Sequence, residues 1–194
     1  MTRKVLVVLG HPSADSFCAA LADACAEAIG QRGAEVRVLR LGQLDFDPVL
    51  REGYRGAQAL EPDLEAARAD ILWAEHLVFV YPTWWGVMPA LLKGFIDRTF
   101  LPGFAFRYRK GSQFWDRLLS GRSAHLVVTM DTPNWFYRLV YGSPGHNAMK
   151  RNILEFSGIR PVRITTLTPL RQSTQAQRER WLRETSRRVA AACP

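Results

Sequence analysis

Cysteine is scarce in this chain: three among 194 residues, Cys18, Cys25 and Cys193, an odd and sparse set that makes no disulfide framework. Cys18 and Cys25 stand seven apart on an expected helix, roughly 10 Å along its axis, and are read as buried thiols. Long apolar runs are missing as well. The one after Lys4 breaks off at Gly10-His11-Pro12, too short for a signal-peptide core and far short of a membrane span, so a cytoplasmic protein without membrane insertion is expected. The four histidines are isolated and the cysteines lack a spaced partner pair, which argues against a metal site. Without a Gly-x-Ser-x-Gly elbow, a serine hydrolase is poorly supported. Acidic residues are outnumbered, 18 against 26 basic ones for a net charge of +8. The basic residues are nevertheless scattered, with no nucleic-acid-binding motif, so no nucleic-acid partner is expected. Neither linker nor repeat divides the chain; a single domain over 1–194 is expected, with only the last few residues looking disordered.

What is present alternates. Val5-Leu6-Val7-Val8-Leu9 suits a strand buried on both faces of a parallel sheet. Asp15 or Ser16 can cap a helix running to about Gly30, with Phe17, Leu21, Ala24, Ala28 and Ile29 as its apolar stripe. A second strand follows at Val36, Val38 and Leu41, then a helix over 61–75 opened by Glu61-Pro62-Asp63. His76 to Tyr81 reads as a third strand, Pro89 to about Thr99 as a helix, and Ala124 to Thr129 as a fourth strand. A helix from about His146 to Phe156, a more exposed strand at 161–167 and a helix from Thr174 to Ala192 complete the chain. Such alternation forces parallel pairing with right-handed crossovers and helices on both faces, an α/β three-layer sandwich. Gly10-His11-Pro12-Ser13 lacks the glycine fingerprint of a Rossmann fold. Five strands therefore favour the flavodoxin-like order 2-1-3-4-5, whose ligand site lies at the carboxyl ends of strands 1 and 3.

Three turns then meet at one sheet edge. His11 to Phe17 enters a helix N-terminus, where free N–H groups and the helix dipole favour a phosphate. Ser16 adds a hydroxyl and His11 a ring N–H, unless the one only caps the helix and the other only closes a turn. After the third strand, Pro82-Thr83-Trp84-Trp85-Gly86-Val87-Met88-Pro89 concentrates aromatics, a glycine and prolines in the wall that a flat isoalloxazine needs. Trp84 and Trp85 can equally be core or interface residues. Thr129-Met130-Asp131-Thr132 leads from the fourth strand into Trp135-Phe136-Tyr137. Tyr137 and His146 are candidate donors to a reduced flavin or a quinone oxygen, with packing as the plainer role.

Val8-Leu9-Gly10-His11-Pro12 with Ser16-Phe17, the long stretch from Tyr81 to Arg98, and Gly103-Phe104-Ala105-Phe106 resemble the NAD(P)H:quinone oxidoreductase branch of the flavodoxin-like flavoproteins. The likeness spans nearly the whole chain. It implies that His11, Ser16, Phe17 and Cys18 touch the flavin phosphates, Cys18 standing where asparagine is common. It implies that Pro82, Thr83, Trp84, Trp85 and Gly86 run along the isoalloxazine edge, and that Thr129, Met130, Asp131 and Thr132 replace a Thr-Gly-Gly turn. Tyr137 and His146 take the positions of an active-site tyrosine and histidine. Arg178, placed where an arginine meets the adenine side, favours FAD over FMN. The resemblance further implies a homodimer and ping-pong hydride transfer from NADH or NADPH through the flavin to a quinone or similar small acceptor. Two other roles stay open: an ancillary subunit of a potassium efflux system, and a flavodoxin-type electron carrier, against which the +8 charge argues.

Overall fold

Unbroken apolar runs belong at the centre of a parallel sheet, where helices cover both faces, and the computed structural model, which describes residues 2–56 and 58–193, places them there. In chain order the strands are β1 (Lys4–Leu9), β2 (Glu35–Arg40), β3 (His76–Pro82), β4 (Phe106–Tyr108), β5 (Trp115–Arg117), β6 (Ser123–Thr129) and β7 (Val162–Leu167). The helices are α1 (Phe17–Gly30), α2 (Pro62–Trp73), α3 (Ala90–Thr99), α4 (Asn134–Leu139), α5 (Pro144–Asn147) and α6 (Gln175–Ala192). A five-stranded parallel sheet runs β2-β1-β3-β6-β7. This is the expected 2-1-3-4-5 order once the antiparallel β4–β5 hairpin is set apart. β3 and β6 are buried along their whole length, whereas the edge strands β2 and β7 mix buried and exposed positions.

Alternate residues of each strand feed two cores. Leu6, Val8, Phe79 and Leu126 pack with Leu64, Phe95 and Met149 on one face; Val5, Val7, Val78 and Val127 pack with Leu21 and Val189 on the other. The long connection after β2 is held by fully buried Arg98, which donates to the carbonyls of Asp47 and Ala59 and pairs with Glu61 at 2.8 Å.

Several local expectations are corrected. The second strand stops at Arg40, and Leu41 opens a 3-10 turn. The β4–β5 hairpin was not foreseen; Gly103-Phe104-Ala105-Phe106 leads into it, and Trp115 stacks on Phe156 at 4.4 Å to hold it down. The helix expected from His146 begins at Pro144 and winds with π-type bonding over Ala148–Glu155. α6 runs to Ala192, as expected, and Cys193 after it is half-buried; Pro194 lies outside the described residues. Cys18 and Cys25 are buried free thiols, as expected.

Candidate functional site

Ser16 caps α1: its Oγ accepts from Ala19 N at 3.2 Å and donates to Ser13 O at 3.0 Å. The hydroxyl proton is thereby spent on the turn itself, so the plainer role drawn from the sequence is the one the side chain plays. Nδ1 of His11 lies 2.9 Å from Ser13 N and 3.2 Å from Ser13 O. An amide nitrogen only donates, so the shorter contact makes Nδ1 the acceptor and leaves Nε2 to carry the ring proton, a free donor. The backbone N–H groups of Ala14, Ser16, Phe17 and Cys18 make no hydrogen bond among the described residues. Together with the dipole of α1 they form a cradle for an anion. Half-buried Phe17 packs on Trp181 of α6, centroids 6.4 Å apart. Arg178, one turn earlier on α6, donates from Nε to Ser173 Oγ at 2.9 Å. Cys18 is the buried thiol expected from the sequence. Its side chain is 2% exposed and turned inward, Sγ 3.3 Å from Thr129 Oγ1, so only its backbone N–H is left to meet a phosphate. Burial pushes its thiol up to about 11.

The second turn closes on itself. Trp84 N donates to Val87 O at 2.9 Å and Val87 N to Trp84 O at 3.1 Å, with Trp85 and Gly86 between them at φ 51° and 79°. Two successive positive φ values make a type I′ turn, strained at Trp85 because it carries a Cβ. The turn is joined to β6 by Thr83 N donating to Thr129 O at 2.7 Å. Trp85 is fully exposed, and Trp84, less so, meets the His11 ring edge-on at 5.6 Å. Neither is a core residue.

The third turn is pinned from outside. Met130 N donates to Leu167 O, Leu170 N to Met130 O, and Arg171 N to the Asp131 carboxylate at 2.7 Å. Thr168 Oγ1 donates to Thr132 O at 2.6 Å. Although side chains replace glycines here, the N–H groups of Asp131 and Thr132 stay unbonded among the described residues, as do those of Trp85 and Gly86. All four residues line one cleft of about 530 Å³ with Thr83, Met130, Tyr141 and Pro144. A planar ring with several acceptor atoms on one edge fits a cleft lined by four residues with unpaired backbone donors and by an indole and a phenol.

Tyr137 stands behind this cleft. It is 1% exposed; its hydroxyl donates to Gly86 O at 2.8 Å and accepts from Gly145 N at 2.9 Å. That single proton is committed, so in this geometry Tyr137 holds the Gly86 turn against residues 143–146 and has no donor left for a quinone. Burial raises it above the ordinary phenol value. His146 stacks edge-on against Tyr137 at 5.0 Å and sits 3.5 Å from Thr166 Oγ1, facing away from the cleft; burial lowers its pKa. Tyr141 and Pro144 were not singled out from the sequence. Gly142 and Gly145 around them mark a loop and were the available signal.

Residues 3–189 match the model of a family described as having the flavodoxin-like fold. This chain belongs to that family. A solved structure from Streptococcus mutans, Smu.1420, is 30% identical over 96% of this chain and 98% of its own, with a TM-score of 0.81. An uncharacterized NAD(P)H oxidoreductase of Haemophilus influenzae is 33% identical over 64% of the chain, and NAD(P)H dehydrogenase (quinone) 1 of Cavia porcellus 32% identical over 55%. The chain spans about half to under two thirds of these curated relatives, 46% of the latter and 63% of the former. Among the described residues no helix is long and apolar enough to cross a membrane.

Proposed function

We propose that this flavodoxin-like protein is a flavin-dependent NAD(P)H oxidoreductase that reduces quinones or similar small acceptors. The observation that carries the reading is the convergence of Trp85, Gly86, Asp131 and Thr132 on one cleft, each with a free backbone N–H, beside the anion cradle at the start of α1. When bound, the flavin supplies the hydride chemistry. The protein's own share is to hold and polarise. The four N–H groups would hold the ring edge where negative charge develops on reduction, and rigid backbone donors need little reorganisation to stabilise it. His11 Nε2–H and the N–H groups of residues 14 and 16–18 take the phosphates. Phe17, Trp181 and Arg178 extend the site beyond one phosphate, which favours FAD over FMN. Exposed Trp85 and Tyr141 form the walls between which a flat nicotinamide, then a flat acceptor, fits in turn. Exposed Trp135 and Leu139 on α4 suit a second copy of the chain, a homodimer that sedimentation can test.

The direct test is to purify the protein, supply FAD or FMN, and follow NADH and NADPH oxidation with a quinone, an azo dye and a nitroaromatic. Flavin-dependent turnover with a quinone is expected. Flavin binding without turnover on any acceptor would overturn the enzyme and favour the carrier or ancillary role.

A further inference from the structure

Behind Tyr137, on the side away from the proposed flavin cleft, a second cleft of about 540 Å³ runs along the open edge of β7 between α4, the π-helical stretch and α6. No described residue lines both clefts. Arg138, Lys150, Arg151 and Arg188 line this one, and Glu184 is the one carboxylate among its described lining residues. Arg138, Arg151 and Arg188 make no ion pair among the described residues, and Lys150 approaches only Glu155, at 3.9 Å. Four cations with one carboxylate, Glu184, in the lining and Glu155 beside Lys150 are under-compensated and repel one another, a cost that an anion between them would relieve. The strand at the base adds donors. Pro161 O accepts from Ala124 N and Leu167 O from Met130 N, so the odd-numbered residues of β7 face β6. In a parallel ladder the main-chain groups of Ile164 and Thr166 then face the open edge.

We infer that this cleft is a binding site for a small phosphorylated ligand carrying at least two negative charges. The arginines come from three different elements, α4, the π-helical stretch and α6, and line one cleft. A planar carboxylate offers two oxygens in one plane, whereas a terminal phosphate offers three spread tetrahedrally, one for each of three guanidinium groups held on separate elements. The amides of Asn134 and Asn147 line the same cleft beside the organic part of such a ligand, and Trp181, which on the proposed function borders the flavin site, separates the two.

Inorganic pyrophosphate is the probe, titrated calorimetrically into the purified full-length chain at fixed ionic strength, with citrate as the carboxylate comparison. Saturable binding is expected, the component at this cleft being the one that moves Ile164 and Thr166 rather than Ala14 and Phe17 of the α1 cradle. It should weaken about tenfold or more in Arg151→Glu/Arg188→Glu, and change far less in Arg183→Glu/Arg187→Glu, an equal charge change at exposed positions of α6 outside the cleft. Amide resonances of Ile164 and Thr166 should shift. Equal weakening by the two variants would reduce the effect to diffuse attraction and overturn the site. So would citrate binding as tightly as pyrophosphate, shifts confined to other residues, or no binding at millimolar probe. If the charge-reversed protein fails to fold by circular dichroism, Arg151→Gln/Arg188→Gln carries the same comparison. None of these readouts depends on flavin or turnover.

Discussion

Across the proposed flavin cleft, one side holds itself together and the other is held. The Trp84–Val87 turn is closed by two hydrogen bonds between its own ends, and the α1 cradle by Ser16 and His11 bonding within residues 11–19. The segment 130–145 instead hangs on Leu167 at the end of β7, on Thr168, Leu170 and Arg171 beyond it, and on Tyr137 reaching back to Gly86. Local bonds survive changes elsewhere, whereas distant ones fail with the packing that brings the partners together. The self-closed side should therefore bind flavin robustly, and the suspended side should be where substitution and pH have their larger effects.

Acid should separate the two sides most. His125 bonds Thr165 across β6 and β7 at 2.8 Å, and His76 bonds Ser123 across β3 and β6 at 2.7 Å. Burial, first among the causes, holds both rings down at about 4. Their folded values lie below the ordinary 6.5, so the unfolded chain takes up protons first as pH falls. The stability tied to the neutral rings is complete above pH 6.5 and is lost progressively as pH falls toward 4. At about 1.4 kcal/mol per unit and group, the loss reaches a few kcal/mol. Thermal unfolding between pH 7.5 and 4.5 measures it; a flat profile would remove β6 and β7 as the sensitive support. Gly145→Val comes next. A Cβ there would sit 2.8 Å from Gly86 O, 2.9 Å from the Tyr137 hydroxyl and 3.0 Å from Val87 Cα. The clamp must open, at about 2–4 kcal/mol of stability with weakened flavin binding.

The two sides were unequally legible in the sequence. β1, β3 and β6 are apolar runs that only a twice-covered sheet accommodates, and the glycine, prolines and tryptophans at 82–89 mark their turn locally. The orientation of Tyr137 was hidden, because it is set by a partner far along the chain, Gly86, and so was the particular contact of the buried Cys18 with Thr129. The β4–β5 hairpin left no periodic signal, since each strand has only three residues and its stability comes from Trp115 on Phe156. The π-type winding at 148–155 likewise has an ordinary helical sequence.

A matched pair of substitutions sharpens the contrast. Tyr137→Phe removes the hydroxyl that bridges Gly86 O and Gly145 N, leaving them only their direct 3.1 Å bond to each other, and should cost about 1–2 kcal/mol, with flavin affinity falling several-fold. Ser16→Ala removes a cap bond at a solvent-accessible turn and should cost about 1 kcal/mol with a smaller change in affinity. Chemical denaturation and flavin titration on both variants test the order; the reverse order would break the distinction. The smallest effect is expected at Trp85→Ala, within about 0.5 kcal/mol of the parent in stability, because the ring is fully exposed. Its signature should instead be a raised KM for the acceptor in steady-state assays.

The most direct measurement is a flavin titration of isotopically labelled protein followed through its backbone amides. The expected result is a stoichiometric coloured complex in which the N–H signals of Trp85, Gly86, Asp131 and Thr132 move together with those of Ala14 and Phe17. A protein that stays colourless with both FMN and FAD, or a complex whose shifts fall elsewhere, would contradict the assignment of this cleft.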